Sequence, residues 1–308
     1  MKSRNRRIML GIAGIVVTMW AVLTLTFILT FAVPTDPARA IVGPKGTPEQ
    51  MDQVSESLGL DDPIVVQYGR YLASTARGDL GYSYSQRQTV TSILSERLPY
   101  TMLLATAAVA IQLVVGGTIG MLSAVRAGGL VDRVGLVGSL LVISLPSFWV
   151  GLMLLYFFGF KLAWLPLGGS DLPWALVLPA ATLGLSGAAW TSRIMRATAY
   201  EVLHSDVVRG LRAQGIRPRA IVVSHVGRMA AGPVLTMLAL DLGLLLGGAV
   251  LVESVFSWPG LGLTAYQALK QNDVPLLMGC VVVGSAFVIA MNLIADLAKV
   301  ALDPRTKP

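Results

Sequence analysis

Six long runs of apolar residues alternate with polar segments along the chain, and the polar segments hold most of the charged side chains. A helix needs about 20 apolar residues to cross a hydrocarbon core about 30 Å thick. The runs cover residues 8–33, 100–125, 134–160, 174–191, 233–255 and 276–300. They are continuous, which is typical of helices and not of the alternating strands of a membrane barrel. The pattern therefore predicts an all-α polytopic membrane protein with six transmembrane helices.

The first run follows a basic start, as the apolar region of a secretory signal peptide does. It covers 26 positions, whereas the apolar region of a signal peptide spans about 7–15 residues. We therefore expect a retained transmembrane helix here and not a cleaved leader.

The polar segments divide the chain into four parts. Residues 1–33 form the cytoplasmic start and the first transmembrane helix, and residues 34–99 form a small extracytoplasmic cap between the first two spans. Residues 100–300 form a five-helix transmembrane core with a long cytoplasmic loop at 193–232, and residues 301–308 form a tail. Within the cap, Thr47-Pro48-Glu49-Gln50 has the pattern of a capping box that opens a helix. Gly59 is expected to end that helix, and Pro63 to begin a second one.

Charge determines the orientation of these segments. Only 13% of the residues are charged, about half of the share of about 25% that a soluble domain carries. Sixteen of the 24 basic residues fall in the N-terminus, the 126–133 and 193–232 loops and the tail from residue 299. Because basic residues concentrate on the cytoplasmic side, both termini are predicted to be cytoplasmic. Topology then accounts for the net charge of +7, and nucleic-acid binding loses its support.

The few reactive side chains exclude most catalytic chemistry. Cys280 is the single cysteine, and the two histidines, His204 and His225, lie far apart without clustered carboxylates. A metal centre or a nucleophile–base pair is therefore not expected. The chain also lacks the glycine-rich phosphate-binding loop that ends in Gly-Lys-Ser or Gly-Lys-Thr, so it is not expected to hydrolyse ATP.

The loop at 193–232 contains a helix with a sharp end. Ser205 or Asp206 can cap a helix whose apolar face is Val207, Val208 and Leu211. Gly215 suits the left-handed position that ends such a helix. Pro218 can then start a second helix that leads into the fifth span and carries, near its beginning, Ile221, Val222, His225 and Met229. Local physics leaves two interpretations open: a corner that fits a cleft of a soluble partner, and a basic loop on anionic lipid.

The segment Arg209-Gly210-Leu211-Arg212-Ala213-Gln214-Gly215, followed by His225 and Pro233, resembles the EAA coupling loop of bacterial ABC importer permeases. The similar subgroup imports dipeptides, oligopeptides and nickel, and commonly shows Arg-Thr-Ala-Arg-Ala-Lys-Gly. In this chain Gly210-Leu211 replaces Thr-Ala, and Gln214 replaces Lys. Segments typical of the first permease of the pair occur elsewhere in the chain, in the order that the family shows. They lie at 58–63, 67–68, 78–81, 144–149, 253–262, 292–296 and 302–305.

The resemblance implies a permease subunit of an ATP-driven importer of dipeptides or oligopeptides in the bacterial cytoplasmic membrane. Its implied partners are a second related permease, two ATP-binding subunits or one fused ATPase, an extracytoplasmic substrate-binding protein and the lipid bilayer. ATP and magnesium would bind only in the ATPase subunits, and this chain would bind no cofactor.

The resemblance also assigns expected roles to residues of this sequence. The residues expected to contact the ATPase are Asp206, Arg209, Arg212, Ala213, Gly215, Ile216, Arg217 and Pro218. The residues expected to line the substrate pathway are Ser144, Pro146, Asp241 and Glu253. The residues expected to dock the binding protein are Asp61, Asp62, Tyr68 and Trp258.

Two alternatives stay open. A permease for nickel or a metal chelate would carry the same motifs. An ion-coupled carrier would use the intramembrane acids Asp241 and Glu253, because buried carboxylates often mark proton or ion pathways. Structural pairing of Asp241 within its glycine-rich helix is a further interpretation.

Overall fold

The computed structural model describes residues 2–32, 47–59 and 61–302. Residues 33–46, which include the first part of the predicted cap, and the tail from residue 303 lie outside these described residues. Most of the described chain is helical, and a two-stranded antiparallel hairpin departs from the predicted all-α class. The elements in chain order are α1 Lys2–Ala32, α2 Pro48–Leu58, α3 Ile64–Ala76, β1 Tyr82–Ser83, β2 Gln88–Thr89, α4 Val90–Val125, α5 Leu130–Ser144, α6 Ser147–Leu154 with a π-helical continuation Leu155–Lys161, a 3-10 turn Pro173–Leu176, α7 Val177–Leu203, α8 Asp206–Ala213, α9 Pro218–Ala220, a π-helical segment Ile221–Val226, α10 Gly227–Val255, α11 Leu261–Lys270 and α12 Val274–Leu302.

Four helical segments among the described residues are long and apolar enough to cross a membrane: Val90–Val125, Pro173–Leu203, Pro218–Gly243 and Val274–Ile294. The pair formed by α5 and α6 adds a fifth span if it is counted as one. In α1, Ala13–Ile28 is a further apolar stretch among the residues whose side chains are described. The multi-span helical class is therefore confirmed, and the count of six spans stays a prediction.

The third predicted span, 134–160, is not one straight helix. Its two halves, Leu130–Ser144 and Ser147–Lys161, meet at an angle of 102°. Pro146 has no backbone N–H to donate and disfavours a helical conformation at the residue before it. Leu145 accordingly has φ −94° and ψ 135°, an extended conformation that ends α5. The predicted span at 134–160 therefore consists of two helical halves with a bend between them.

The chain forms two compact units, which are described separately: residues 1–99 with 260–289, and residues 100–259 with 290–308. In the first unit, α3 packs on α1, and the start of α4 packs on α11 and α12. The buried apolar residues there are Val90, Ile93, Leu94, Leu261, Ala268, Leu276 and Cys280. Ile93 and Leu94 belong to the first turns of α4.

A buried carboxylate fastens the hairpin of the first unit to α12. Asp273 Oδ2 accepts hydrogen bonds from the hydroxyl groups of Ser83 (2.6 Å) and Ser85 (2.5 Å). Its Oδ1 accepts one from the backbone N–H of Leu276 (3.2 Å), in the first turn of α12. One side chain therefore satisfies both a helix terminus and a turn, which stabilises two elements far apart in sequence.

In the second unit, α4 and α7 approach each other closely through glycines. A Cβ atom at Gly116 would lie 2.6 Å from the carbonyl oxygen of Ala188, and one at Gly120 would lie 2.7 Å from the Cβ of Met195. Small residues at this spacing let two helix backbones pack in contact. Because the contacts advance along both helices together, α4 and α7 run in the same direction.

The direction of α10 relative to α4 follows from two polar contacts. Thr101, near the beginning of α4, bonds Glu253, near the end of α10. Gln112, further along α4, bonds Asp241, which lies earlier in α10. The two helices are therefore antiparallel.

Candidate functional site

The corner at α8 has the geometry that the sequence predicts. The helix occupies Asp206–Ala213, and Gly215 has φ +75°. The N–H of Gly215 donates to the carbonyl of Arg212 (3.0 Å), and the N–H of Ile216 donates to the carbonyl of Leu211 (3.2 Å). These two bonds define a Schellman motif, in which a left-handed residue ends a helix. The predicted helix and its glycine stop are confirmed.

The inner face of α8 is anchored in a buried cluster of the second unit. Val208 is fully buried, and Leu211 and Ile216 pack against the same cluster. The cluster is shared with α4, α7, the π-helical segment and α10, through the buried residues Ala124, Met195, Ala199, Leu203, Ile221, Val226, Ala230, Val234 and Leu238. A displacement of α8 therefore acts on membrane helices through direct packing.

Val207 departs from the expected apolar face, because its side chain is exposed. It lies one residue before Val208, about 100° around the helix, and therefore on the outer side. An exposed valine among charged neighbours adds apolar area to the surface that a partner would cover.

The outer face of α8 is charged and accessible. Asp206 Oδ1 lies 2.7 Å from Arg209 Nη1, and both side chains are mostly exposed. Arg212 and Ala213 are exposed as well, as are Arg217 and Pro218 after the turn. Ser205 occupies the N-cap position without a side-chain cap, and its hydroxyl donates to the carbonyl of Val202 instead (2.7 Å).

A buried ion pair that sequence reasoning missed lies in the same unit. Arg196 of α7 donates to both carboxylate oxygens of Asp132, from Nε (2.5 Å) and from Nη2 (2.7 Å). Asp132 is 2% exposed, and its Oδ2 also accepts the N–H of Gly128 (2.9 Å). The pair joins the first turn of α5 to the part of α7 that leads into α8. An acid and a base 64 positions apart give no pairing signal in one sequence.

The proposed pathway residues do not form one site. Asp241 accepts a hydrogen bond from Gln112 Nε2 (2.6 Å), and the same nitrogen donates to Thr191 Oγ1 (2.9 Å). Glu253 is fully buried and accepts a hydrogen bond from Thr101 Oγ1 (3.0 Å). The two acids are 12 residues apart, about 18 Å along α10. Gln112 was missed, although a lone amide within an apolar span is itself a signal.

Ser144 and Pro146 lie at the bend between α5 and α6, and both are exposed. The Ser144 hydroxyl donates to the carbonyl of Leu140 (2.9 Å), within its own helix. The bend therefore presents these residues on the surface of the second unit.

The residues expected to dock a binding protein have different environments. Asp61 is exposed. Asp62 pairs with Arg70 across the first turns of α3. Tyr68 hydrogen-bonds Thr24 of α1. Trp258 contradicts the expectation, because its side chain is 3% exposed and its indole N–H donates to the carbonyl of Tyr100 (3.0 Å). This tryptophan is a packing residue in the second unit.

Metal-ligand geometry is absent from the part of the chain that the structure describes. No three His, Cys, Asp or Glu side chains converge there.

Comparison with known proteins gives two family matches. Residues 116–308 match the binding-protein-dependent transport system inner membrane component, and residues 5–105 match the N-terminal part of the membrane component of such systems. A protein of Brucella suis named as a peptide permease is 40% identical over 300 residues, with 93% of this chain and 94% of that protein covered. The glutathione transport system permease protein GsiC of Pectobacterium atrosepticum is 35% identical over 291 residues, with 94% and 95% covered. GsiC of Escherichia coli K12 is 34% identical over the same length.

Among solved structures, the chain is similar to a chain of the MetNI methionine ABC transporter in an inward-facing conformation. The TM-score is 0.58 at 18% identity, and the similarity covers 68% of this chain and 96% of that chain. At this identity the likeness shows the fold alone. The family matches confirm the resemblance stated from the coupling loop, and they place the protein in a bacterial inner membrane. This chain belongs to the family of inner membrane components of binding-protein-dependent transport systems.

Proposed function

We propose that this chain is a transmembrane permease subunit of an ATP-driven importer of dipeptides or oligopeptides. It forms half of the translocation pathway, crosses the membrane six times, and has both termini in the cytoplasm and the cap outside. Relatives named as a peptide permease and as glutathione permeases, each matched over more than nine-tenths of this chain, support a peptide substrate.

The observation that carries the proposal is the construction of the α8 corner. Its outer face offers Arg209 and Arg212 to carboxylates of an ATPase, while Val208 on its inner face is locked into the buried cluster of the second unit. A push on the outer face is therefore delivered to α4, α7 and α10. This arrangement supports alternating access driven by two ATPase subunits or by one fused ATPase.

The chain itself performs no catalysis in this proposal. ATP and magnesium bind in the ATPase subunits, an extracytoplasmic binding protein delivers the peptide, and a second related permease completes the pathway. The methionine ABC transporter with the same fold is consistent with such an assembly.

The test is a charge reversal at the corner combined with a blocked turn. Arg212→Glu with Gly215→Leu removes a partner for ATPase carboxylates and places a side chain at a left-handed position. In reconstituted complexes, we expect peptide uptake per ATP hydrolysed to fall about tenfold, within the usual range of coupling between sites.

The matched control makes the same changes in the neighbouring cytoplasmic loop. Arg126→Glu with Gly128→Leu reverses an exposed arginine and substitutes a glycine with φ +78° and open space around it, as at Gly215. This control should keep normal coupling. Unchanged coupling in the α8 variant would contradict the proposal, as would uptake by this chain alone in response to an ion gradient.

The substrate class needs a separate measurement. Mass spectrometry of the ligand carried by the co-purifying binding protein should find a short peptide. Nickel or a metal chelate in that protein would replace the peptide in the proposal and leave the coupling role of α8 intact.

A further inference from the structure

The first turn of α3 exposes three consecutive apolar side chains. Ile64, Val65 and Val66 are 61%, 80% and 48% exposed. None of the side chains of α3 is buried, and the helix contains no acidic residue and one basic residue, Arg70, whose guanidinium pairs with Asp62. Contact of three consecutive apolar side chains with water is unfavourable in free energy. Exposed apolar patches of this kind mark sites of contact with a protein or a membrane.

α3 lies directly against α1. The Tyr68 hydroxyl is 2.7 Å from Thr24 Oγ1. The ring of Phe27 packs against Tyr68 with centroids 5.2 Å apart and stacks on Tyr71 at 5.7 Å. Three aromatic rings and one hydrogen bond therefore fix α3 to one position along α1.

That position is inside the apolar part of α1. Thr24 and Phe27 both belong to the apolar stretch Ala13–Ile28, and the apolar run of the sequence continues to residue 33. They lie eight and five residues before the end of α1 at Ala32, about 12 and 8 Å along the helix axis. In the proposed topology, a helix fastened at Thr24 and Phe27 thus lies at the level of the outer half of this run.

The exposed turn extends past α1 at this level. Ile64 and Val65 precede Tyr68 by four and three positions, so they lie on the same face of α3 as the tyrosines that contact α1. Their high exposure shows that α1 does not cover them. In the proposed topology, a surface beside α1 at this depth that no protein covers faces lipid.

We propose that the first turn of α3 inserts into the outer leaflet beside α1, with Ile64 and Val65 among the acyl chains. This inference rests on the proposed topology, in which α1 crosses the membrane. Burial of apolar side chains in the boundary of the bilayer is the force that holds short amphipathic helices there. Tyr68 then fastens α3 to α1, and the binding protein docks on other surfaces of the importer.

Site-directed spin labels test the depth of this turn in the complete importer. Cys280→Ser removes the native thiol, and single cysteines are introduced by Val65→Cys, Val17→Cys and Arg77→Cys. Val17 is an exposed residue of α1 and reports lipid, whereas Arg77 is exposed just after the end of α3 and reports water. The complex is placed in vesicles of phosphatidylethanolamine and phosphatidylglycerol, and nitroxide collisions are measured with oxygen and with a water-soluble nickel chelate.

The ratio of oxygen to nickel collisions at position 65 should resemble that at position 17 and exceed that at position 77 several-fold. If the collision ratio at position 65 is like that at position 77 while position 17 is in lipid, the inference is overturned and the proposed topology is retained. A water-like ratio at position 17 overturns both.

Two further results would also overturn the inference. Shielding of position 65 from both reagents would show that protein covers the turn. Shielding that appears only when the binding protein is added would identify the turn as its docking surface.

Discussion

The ion pair between Asp132 and Arg196 is the most buried charge contact among the described residues. Replacement by Asp132→Asn keeps the shape of the side chain and leaves the Arg196 guanidinium without its counter-charge. Breaking a buried pair costs about 3–5 kcal/mol, and the partial exposure of Arg196 reduces this to about 2 kcal/mol. We expect a lower unfolding temperature of the purified complex, measured by a thermal shift in detergent.

The exposed pair Asp206–Arg209 supplies the control for this prediction. Asp206→Asn should leave the unfolding temperature unchanged, because surface ion pairs stabilise little. Recovery of stability in the charge-swapped double variant Asp132→Arg, Arg196→Asp would support a direct pair. Equal effects of Asp132→Asn and Asp206→Asn would contradict it.

Single residues differ in how far their sequence context determines their role. Gly215 is predictable, because a glycine just after a helical pattern has one common function, and its φ of +75° matches that function. Trp258 was not predictable. A tryptophan near the end of a span suits both a membrane interface and a packed core, and only the position of the Tyr100 carbonyl places it in the core.

At the scale of elements, the contact between α4 and α7 depends on the absence of a side chain at Gly120. A Cβ atom there would lie 2.7 Å from the Cβ of Met195 and 3.0 Å from the backbone nitrogen of Arg196. We expect Gly120→Ala to separate the helices and to destabilise the complex by about 1–3 kcal/mol, as overpacking does. The measurement is thermal unfolding monitored by size-exclusion chromatography.

Gly117 lies on the same helix and provides the comparison. The nearest side-chain atoms to a Cβ at Gly117 are 3.8 Å away, an ordinary contact distance. Gly117→Ala should therefore be tolerated. If both alanine variants behaved alike, close packing through Gly120 would not be the reason for the glycine.

The elements themselves were partly predictable. Hydropathy locates α4, α7, α10 and α12, because each has a long apolar run, but it cannot separate one straight helix from two halves that share a run. Pro146 was the available signal for the bend, since the residue before a proline avoids the helical conformation. The start of α4 at Val90 was missed because Pro99, inside the helix, reads as a boundary. No feature of the sequence near Asp273 predicted that its carboxylate would bind the hairpin, because Ser83 and Ser85 lie far away along the chain.

At the scale of the whole molecule, Asp241 is the polar side chain that we expect to face the substrate pathway. Its carboxylate is partly exposed within a spanning segment, and among the described residues it has Gln112 and no cation as its hydrogen-bonding partner. Because a carboxylate facing lipid would cost several kcal/mol, we expect Asp241 to face the proposed aqueous pathway. Asp241→Asn keeps an oxygen that accepts from Gln112 and removes the charge.

The expected result is a drop of about fivefold in uptake of peptides with a free α-ammonium group, equivalent to about 1 kcal/mol for a partly hydrated ion pair. N-acetylated peptides serve as the internal control, because they carry no such charge, and their uptake should not change. Measurement uses radiolabelled peptides in proteoliposomes. An equal loss for both peptides would show that Asp241 acts on the structure and not on the substrate charge.

The shared direction of α4 and α7 fixes the parity of the membrane crossings. A chain that has crossed one way must return once, or an odd number of times, before it crosses that way again. Between these helices lies the bent pair, and neither half spans the bilayer alone, since the 15 residues of α5 cover about 22 Å of a core about 30 Å thick. In the proposed six-span topology, the two halves together make this single return. With a re-entrant loop in its place, α7 would run opposite to α4 and α8 would lie outside the cell. The cytoplasmic position that we propose for α8 therefore requires that the bent pair cross the membrane.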